Sequence, residues 1–254
     1  DANYFTSARS VHEEYGETLR YILDSYLEYS NTFGRNSFSI MGGYSYRRSS
    51  DNGFVAKAEG RSTDKVVTLT SASTYTSETS DFSDARMMGA FSRFNYDYGK
   101  KYFLTLTFRA DGSSKFLKGS RWGYFPGAAL GWIMSEEDFL KNANALDYLK
   151  WRISYGQTGN NSVGIYDALG SYSTTKYDGN SGMVASTMAN KSLTWETTTQ
   201  FDAGVDANFL KDRIIFTGDY FNKLTSNLLF SKDLPNTSGF SDVETNIGKV
   251  RFYG

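Results

Sequence analysis

The sequence predicts an all-β protein: an antiparallel up-and-down transmembrane β-barrel section with about nine strands. Three observations predict this fold. The 254 residues include 19 Tyr, 19 Phe and 24 Gly but only 2 Pro, and aromatic residues and Thr favour strands. Apolar and polar residues alternate along most of the chain. The connections between the alternating segments are short at one end and long at the other, which is typical of outer-membrane barrels.

The alternation is clearest between residues 195 and 209. Odd positions there are apolar or Thr, and even positions are acidic, amide, Thr or Gly. Successive side chains of a strand point to opposite faces, so one long strand has an apolar face, including Trp195 and Phe201, that we expect to contact lipid. The mean hydropathy of −0.48 fits a barrel, because only alternate strand residues need be apolar. No apolar run approaches the roughly 20 residues of a membrane helix.

Eight connections separate the predicted strands. Alternate connections of an up-and-down barrel lie at opposite ends, and this rule divides them into a short set and a long set. The short set is 31–36, 99–100, 134–148 and 210–212, and the long set is 48–85, 111–120, 158–192 and 225–245. Connection 134–148 is expected to contain a short helix beginning near Ser135. Residues 66–69 could form a strand, but we assign them to the loop because another strand would break the alternation of ends.

Aromatic residues lie near both ends of the predicted strands. Those near short turns are Tyr29, Tyr98, Tyr102, Trp132 and Phe209, and those near long loops are Tyr44, Tyr46, Trp122, Tyr155, Trp195 and Tyr220. Two aromatic girdles are expected where a barrel meets the two lipid–water interfaces. A soluble β-sandwich or soluble barrel also has alternating strands. The strand lengths, the unequal connections and the mixed Ser, Asn, Thr, Gln, Asp and Arg of the polar face argue against it.

Composition excludes several functions. With 27 Lys+Arg against 28 Asp+Glu, the chain has no excess of positive charge for nucleic-acid binding. Cysteine is absent and His12 is the single histidine, so thiolate and histidine-rich metal sites are excluded. Residues 177–182 lack the spaced acids of a calcium loop. No nucleophile, base and oxyanion donors come together, and we expect no enzyme activity, no cofactor and no metal.

The odd strand number has a further implication. Single-chain bacterial barrels have an even number of strands, and an open sheet with an apolar face has two unprotected edges. We therefore expect residues 1–254 to be an internal section of a larger barrel.

Several stretches resemble one family of membrane proteins, in order and in spacing. They are 91–98, 101–116 (which contains RADGSSKF), 121–126 (RWGYFP), 135–137, 149–160, 193–196, 219–223, 234–235, 238–240 and 246–248. Together they resemble the C-terminal half of SusC/RagA-type TonB-dependent outer-membrane transporters. The resemblance covers nearly all of 19–254 and is weakest in 48–85.

This resemblance implies a 22-stranded barrel in the outer membrane of a Gram-negative bacterium, with an N-terminal plug and a TonB box. It also implies a SusD-type surface lipoprotein as a lid, and import of glycans or peptides. The resemblance also brings in, as a candidate assembly, a dimer of the transporter–lipoprotein pair. We find no plug, TonB box or signal peptide in these residues, so TonB would act through another part of the protein.

Residues on the polar face of the predicted strands are candidates for the barrel lumen, where they would line the substrate path or hold the plug. They are Arg93, Asn95, Arg109, Arg152, Glu196, Gln200, Asp202, Asp206 and Asp219. The alternative is that each contacts only water or the plug. The basic members, with Lys150, could also form cross-strand pairs with Glu196, Asp202 and Asp206 that brace the wall.

The long loops contain aromatic residues among small polar ones, a composition that suits sugar stacking or a protein lid. The candidates are Tyr75, Phe82, Tyr166, Tyr172, Tyr177 and Phe240. Alternatively, they close a small core within the folded loops. Residues 111–114 are expected to form a tight turn, and Glu136 to Asp138 to interact with the dipole of a short helix.

Two other functions remain open at this point. A passive porin-like barrel would need no plug and no energy coupling. A soluble β-rich carbohydrate-binding module would fold without a membrane.

Overall fold

The computed structural model describes residues 9–61, 63, 65–141 and 145–254. Within them lie thirteen strands and three short 3-10 helices. The strands are β1 (Ser10–Phe33), β2 (Asn36–Glu59), β3 (Thr74–Tyr98), β4 (Tyr102–Ser113), β5 (Trp122–Ile133), β6 (Leu146–Asn160), β7 (Ser171–Tyr177), β8 (Asn180–Thr187), β9 (Glu196–Phe209), β10 (Ile214–Ser226), β11 (Leu229–Asp233), β12 (Asp242–Asn246) and β13 (Lys249–Tyr253). The 3-10 helices are Leu69–Ser71, Met134–Glu136 and Asn236–Ser238. In the described part of the chain, no helix is long and apolar enough to cross a membrane.

Nine of the strands form one sheet, in the order β1-β2-β3-β4-β5-β6-β9-β10-β13. This confirms the predicted all-β fold with nine main strands. The order follows the chain except that β6 pairs directly with β9, and β10 with β13. The segments between these partners contain the separate two-stranded hairpins β7–β8 and β11–β12. The registers of β3 to β6, β9, β10 and β13 are all antiparallel.

The chain divides into two compact units, each described by itself. The first consists of Asp1–Ile22 and Arg47–Ala85. In it the Arg48 guanidinium donates to the Asp84 carboxylate with an Nη2–Oδ2 distance of 2.6 Å. The hydroxyls of Thr18 and Ser83 donate to the two carboxylate oxygens of Asp51. Hydrogen bonds between side chains thus connect the strand segments of this unit.

The second unit consists of Leu23–Tyr46 and Arg86–Gly254. Its register places side chains in rows that lie on alternate faces, because neighbouring residues of a strand point in opposite directions. One row on the polar face is Thr105, Ala129, Ser154 and Asp202, and the adjacent row on the apolar face is Leu106, Ala128, Tyr155 and Phe201. The predicted placement of Phe201 and Asp202 on opposite faces is therefore confirmed.

The prediction of a long loop at 48–85 is wrong. Strand β2 continues to Glu59 and β3 begins at Thr74, so the connection is confined to 60–73. Tyr75 and Phe82 lie on β3 and not in a loop. The sequence pattern fails on β3 because residues 74–82 are exposed throughout and mostly polar, so alternation gives no signal there. On β2 the polar run 47–53 hides the continuation of the strand, although Ala58 further along is fully buried. Residues 66–68 form no strand, as predicted.

Three further segments differ from the predictions, and a fourth contains the expected short helix. The loops predicted at 158–192 and 225–245 contain the hairpins β7–β8 and β11–β12. Connection 134–148 contains a 3-10 helix, Met134–Glu136, without the predicted side-chain cap from Ser135. Strand β4 continues to Ser113, so residues 111–113 are strand and not turn.

Two of the short connections use left-handed backbone. The β3–β4 turn has φ of 60° at Gly99 and 57° at Lys100, the pattern of a type I′ turn, which matches the twist of a hairpin. In the β9–β10 turn, Leu210, Lys211 and Asp212 all have φ near 60°. The Asp147 carboxylate accepts hydrogen bonds from the backbone N–H groups of Lys211 and Asp212, which stabilises this conformation. We refer to the end of the sheet with these connections as the turn end, and to the opposite end of the second unit as the loop end.

Candidate functional site: polar face and loop cluster

The apolar face of the second unit exposes large side chains across five neighbouring strands. The exposed members are Leu106, Phe108, Tyr124, Leu130, Trp151, Ile153, Tyr155, Phe201, Phe216 and Tyr220. A continuous apolar surface of this kind is unfavourable in water and marks contact with lipid or protein.

Arg152 is the centre of a charged network on the polar face. Its Nε lies 2.8 Å from Oδ2 of Asp206 on β9, and its Nη2 lies 3.1 Å from Oδ1 of the same carboxylate. The same Nη2 lies 3.0 Å from Oδ1 of Asp219 on β10. One guanidinium therefore connects β6, β9 and β10. The predicted cross-strand pairing of Arg152 with Asp206 is present, and Asp219 joins it.

Asp202 accepts two hydrogen bonds beside this network. The Ser154 hydroxyl donates to Oδ2 at 3.1 Å, and the Gln200 amide donates to Oδ1 at 2.8 Å. Asn95 belongs to a neutral chain of contacts, donating to Ser39 and accepting from Thr105. Hydrogen bonds between side chains thus connect neighbouring strands at several positions along the polar face.

The remaining lumen candidates do not join the network. Arg109 pairs with Asp111 along its own strand, at 2.8 Å between Nη2 and Oδ1, and its guanidinium lies over the Phe91 ring. Arg93 is opposite Thr107 in the register. Glu196 lies at the loop end, where it accepts from the backbone N–H of Leu229.

A buried apolar cluster occupies the loop end, and the sequence analysis missed it. We call it the loop cluster; its buried members are Phe116, Phe125, Val163, Ala168, Leu193 and Trp195. They come from the β4–β5 connection, β5, the β6–β7 connection and the segment before β9. The Trp195 ring lies 5.5 Å from the rings of both Phe116 and Phe125. Segments distant in the sequence therefore form one packed body.

The prediction that Trp195 faces lipid is wrong. It lies immediately before β9 and is only 5% exposed. It packs on Phe125, which alternates with the outward Tyr124 and so lies on the polar side of β5. The Trp195 indole N–H donates to the backbone carbonyl of Arg121 at 3.0 Å. Alternation describes β9 itself but not the residue that precedes it.

Hydrogen bonds fasten the same segments around the loop cluster. Lys115 Nζ lies 2.7 Å from the carbonyl oxygen of Val163, and the Asn161 amide donates to the buried Ser113 hydroxyl. Asn246 accepts from the N–H of Thr194 and donates to its carbonyl, which fastens β12 to the segment before β9. Ser113, Lys115, Thr194 and Asn246 belong to the stretches that carry the family resemblance, whereas Asn161 and Val163 lie just outside them. That resemblance was the one signal in the sequence that could have identified them.

The predicted loop aromatics lie mostly outside the loop cluster. In the second unit, Tyr166 is 43% exposed, and Tyr172 and Tyr177 on the β7–β8 hairpin are 70% and 86% exposed. Phe240 is half-buried. In the first unit, Tyr75 and Phe82 are exposed. These rings are available for contact with a ligand or a partner.

Glu137 has a role that the sequence analysis missed. At the turn end its Oε1 accepts from the Tyr102 hydroxyl at 2.6 Å and from the Trp132 indole at 3.2 Å, and Lys101 Nζ lies 3.5 Å from Oε2. The hydrogen bond from Tyr102, then that from Trp132, lowers the pKa of the Glu137 carboxyl below its ordinary value, and the charge of Lys101 adds to the effect. These contacts replace the predicted interaction with a helix dipole.

Among the described residues, no group of His, Cys, Asp or Glu side chains is arranged to hold a metal ion.

The family model described as "TonB dependent receptor-like, beta-barrel" matches residues 1–254. The chain belongs to this family of TonB-dependent receptors. TonB-dependent receptor P3 of Formosa agariphila is 36% identical over 95% of this chain and 25% of its own length. TonB-dependent receptor SusC of Bacteroides thetaiotaomicron is 34% identical over 90% of this chain and 23% of its own.

A solved structure of the RagAB peptide transporter shares the fold of this receptor section. The TM-score is 0.87 at 24% identity, covering 94% of this chain and 27% of the other. The receptor section thus spans about a quarter of the length of the proteins it matches. The predicted TonB-dependent receptor β-barrel is therefore confirmed, and the chain is similar to SusC in sequence and to the RagAB transporter in fold.

Proposed function

We propose that this receptor section forms part of the wall and the external loops of an outer-membrane importer, energised through TonB, that takes up glycans or peptides too large for porins. The observation that carries the proposal is the contrast between the two faces of one sheet. An exposed apolar face suits lipid, and a hydrogen-bonded charged face suits a hydrated lumen.

The proposed lumen surface is centred on Arg152 and its two carboxylate partners. Asp202, Gln200 and Asn95 extend it along the wall. Arg93, Arg109 and Glu196 belong to the same face but have different neighbours. We propose that this surface contacts the plug or the passing nutrient, and that the ion pairs maintain the strand positions while it does so.

The loop end is the proposed contact surface for a SusD-type surface lipoprotein. The loop cluster holds three loops as one body, and the β7–β8 hairpin presents the exposed rings of Tyr172 and Tyr177. Tyr166 and Phe240 are proposed to serve the same surface, and the exposed Tyr75 and Phe82 of the first unit are proposed as separate contacts for a ligand or the lipoprotein. Exposed aromatic rings suit both a protein interface and the stacking of sugars.

Uptake in cells tests the proposal. The full-length gene is deleted and restored with the natural sequence or with a version in which 171–187 is replaced by a short Gly/Ser linker. Growth is then measured on oligosaccharide mixtures and on peptide mixtures. We expect growth on one mixture to depend on the gene and on TonB, and the linker version to assemble but to support slower growth.

The same cells distinguish the two other functions. A passive porin-like barrel would support uptake without TonB. A soluble carbohydrate-binding module would appear in the soluble fraction and not in the outer membrane. Either result would contradict the proposal.

A further inference from the structure

An apolar groove of about 560 Å³ lies on the outer face of the sheet, close to the turn end. It runs across β3, β4, β5 and β6 and includes two adjacent rows of outward side chains. The principal lining residues are Tyr96, Leu130 and Ile153 in one row, and Tyr102, Trp132 and Trp151 in the row nearer the turn end. Its shape and lining suit a hydrocarbon chain.

A charged hollow of about 630 Å³ lies at the turn end itself, between the β1–β2 turn, the β3–β4 turn and residues 136–141. Tyr102 lines both the groove and the hollow. Glu137 lines the hollow and accepts hydrogen bonds from Tyr102 and from Trp132 of the groove. The two spaces therefore adjoin, and Glu137 fixes the two rings at their junction.

The hollow contains charges of both signs. Lys101 forms an ion pair with Glu137, and Nζ of Lys141 lies 3.3 Å from Oδ1 of Asp138. Arg35, Lys100 and Glu136 also line the hollow, are exposed, and form no ion pair with any residue that the structure describes. Arg35, Lys100 and Glu136 are thus available to a ligand, and the Asp97 carboxylate, which accepts from the backbone N–H of Lys100, also lines the hollow.

We infer that the groove and the hollow together bind one phospholipid with an ethanolamine headgroup, from the leaflet at the turn end. An acyl chain lies in the groove, the phosphate contacts Arg35 and Lys100, and the ammonium group contacts Glu136. A glycerol headgroup brings no cation for Glu136, and a choline headgroup brings a cation without N–H donors. The inference rests on the proposed membrane location.

Native mass spectrometry of the purified full-length receptor in detergent tests this site. The receptor is titrated separately with phosphatidylethanolamine, phosphatidylcholine and phosphatidylglycerol that have identical acyl chains. We expect one phosphatidylethanolamine to bind more tightly than either of the other lipids. The double variant Arg35→Gln/Lys100→Gln should bind it about tenfold more weakly, because two charge-assisted hydrogen bonds are lost.

Two further variants separate headgroup from chain recognition. Glu136→Gln should remove the preference for phosphatidylethanolamine over phosphatidylcholine. Leu130→Trp should fill the groove and weaken binding of all three lipids. Lys211→Gln, at another turn of the same end, and Leu106→Trp, on the apolar face outside the groove, are the matched controls and should bind as the natural receptor does.

The outcomes are separable from those of the proposed function. If the receptor is a folded, detergent-extracted barrel that supports TonB-dependent uptake, but binds the three lipids equally or is unaffected by Arg35→Gln/Lys100→Gln, the lipid site is wrong and the importer proposal stands. If the protein is recovered without detergent from the soluble fraction, both proposals fail.

Discussion

Glu137 is a carboxylate whose neighbours all favour its charged form. Its folded-state pKa lies below the ordinary value, so the stabilisation that it provides is present at neutral pH. That stabilisation is lost as the pH falls through the folded-state pKa. Glu137→Gln should therefore lower the unfolding temperature of the full-length receptor at about pH 7, and the difference from the natural receptor should vanish in strong acid. A pH series of thermal unfolding curves measures this.

Glu136→Gln is the matched control, since this neighbour is exposed and has no partner among the described residues. Its unfolding temperature should follow that of the natural receptor. A difference for Glu137→Gln that persists unchanged in acid would mean that its effect is not electrostatic.

Trp195 gives the second test at the scale of single residues. Truncation of a buried Trp costs roughly 3–5 kcal/mol, because the lost contacts leave a cavity. In Trp195→Ala we expect the loop cluster to loosen, so limited proteolysis should cut the external loops faster while the barrel still assembles. Tyr177→Ala, at an 86% exposed position, is the control and should be cut at the natural rate. Equal cutting in both variants would show that the loop cluster does not hold the loops.

For single residues, the sequence correctly predicted which face of the sheet a strand side chain lies on. It did not predict which side chains surround a residue at the end of a strand. Phe201 and Asp202 lie on the faces that alternation assigned to them. Trp195 and Glu137 do not follow their predictions, because their environments come from segments distant in the chain. Periodicity reports the direction of a side chain within its own strand, and it says nothing about loops that fold over a strand end.

At the scale of elements, the Arg152 network connects three strands. Its two acidic partners lie on β9 and β10, so replacement of the guanidinium affects two strand pairings. The Arg152 side chain is 40% exposed, and water screens the interaction. A double-mutant cycle of Arg152→Gln and Asp206→Asn should therefore give a coupling energy of about 0.5–1 kcal/mol in urea unfolding of the full-length receptor.

Arg93 provides the matched control for this cycle. It lies on the same face and forms no ion pair with a described residue, so Arg93→Gln combined with Asp206→Asn should show no coupling. A coupling as large as that of Arg152 would indicate a general charge effect and not a specific bracing contact.

Element boundaries were predictable only where the two faces differ. Strands β4, β5, β9 and β10 were anticipated within a few residues, since apolar and polar side chains alternate along them. The outer parts of β2 and β3 and the hairpins β7–β8 and β11–β12 were assigned to loops. Most of these side chains are polar or exposed, although Ala58 on β2 is buried, and pairing between backbones leaves no signature in a single sequence.

At the scale of the whole molecule, the assignment of inner and outer faces has a direct test. Phe201 and Gln200 are neighbours on β9 that point to opposite faces. Lys on a lipid face near the bilayer midplane costs about 2–4 kcal/mol. Phe201→Lys should therefore impair assembly of the full-length receptor, whereas Gln200→Lys should be tolerated in a hydrated lumen. Assembly is measured in outer-membrane fractions by heat-modifiable electrophoretic mobility. If Gln200→Lys impaired assembly and Phe201→Lys did not, the face that carries Gln200 would be the one in contact with lipid.

The nine-stranded sheet and its family were within reach of the sequence, because the number of main strands and the quoted stretches both pointed to them, although several predicted connection lengths were wrong. The loop cluster was not, although Phe116, Phe125 and Leu193 lie in those same stretches. Resemblance identifies that a stretch belongs to a family, whereas its physical role emerges only when distant segments are seen in contact.

The direct pairing of β6 with β9 has an evolutionary consequence. The β7–β8 hairpin inserted between them pairs with itself, so its length and sequence can vary while the hydrogen bonds of the wall are retained. Selection can then alter what the exterior recognises at little thermodynamic cost to the scaffold. Duplicated copies of such a gene could diverge by exchange of this short segment, with the nine-stranded sheet inherited intact.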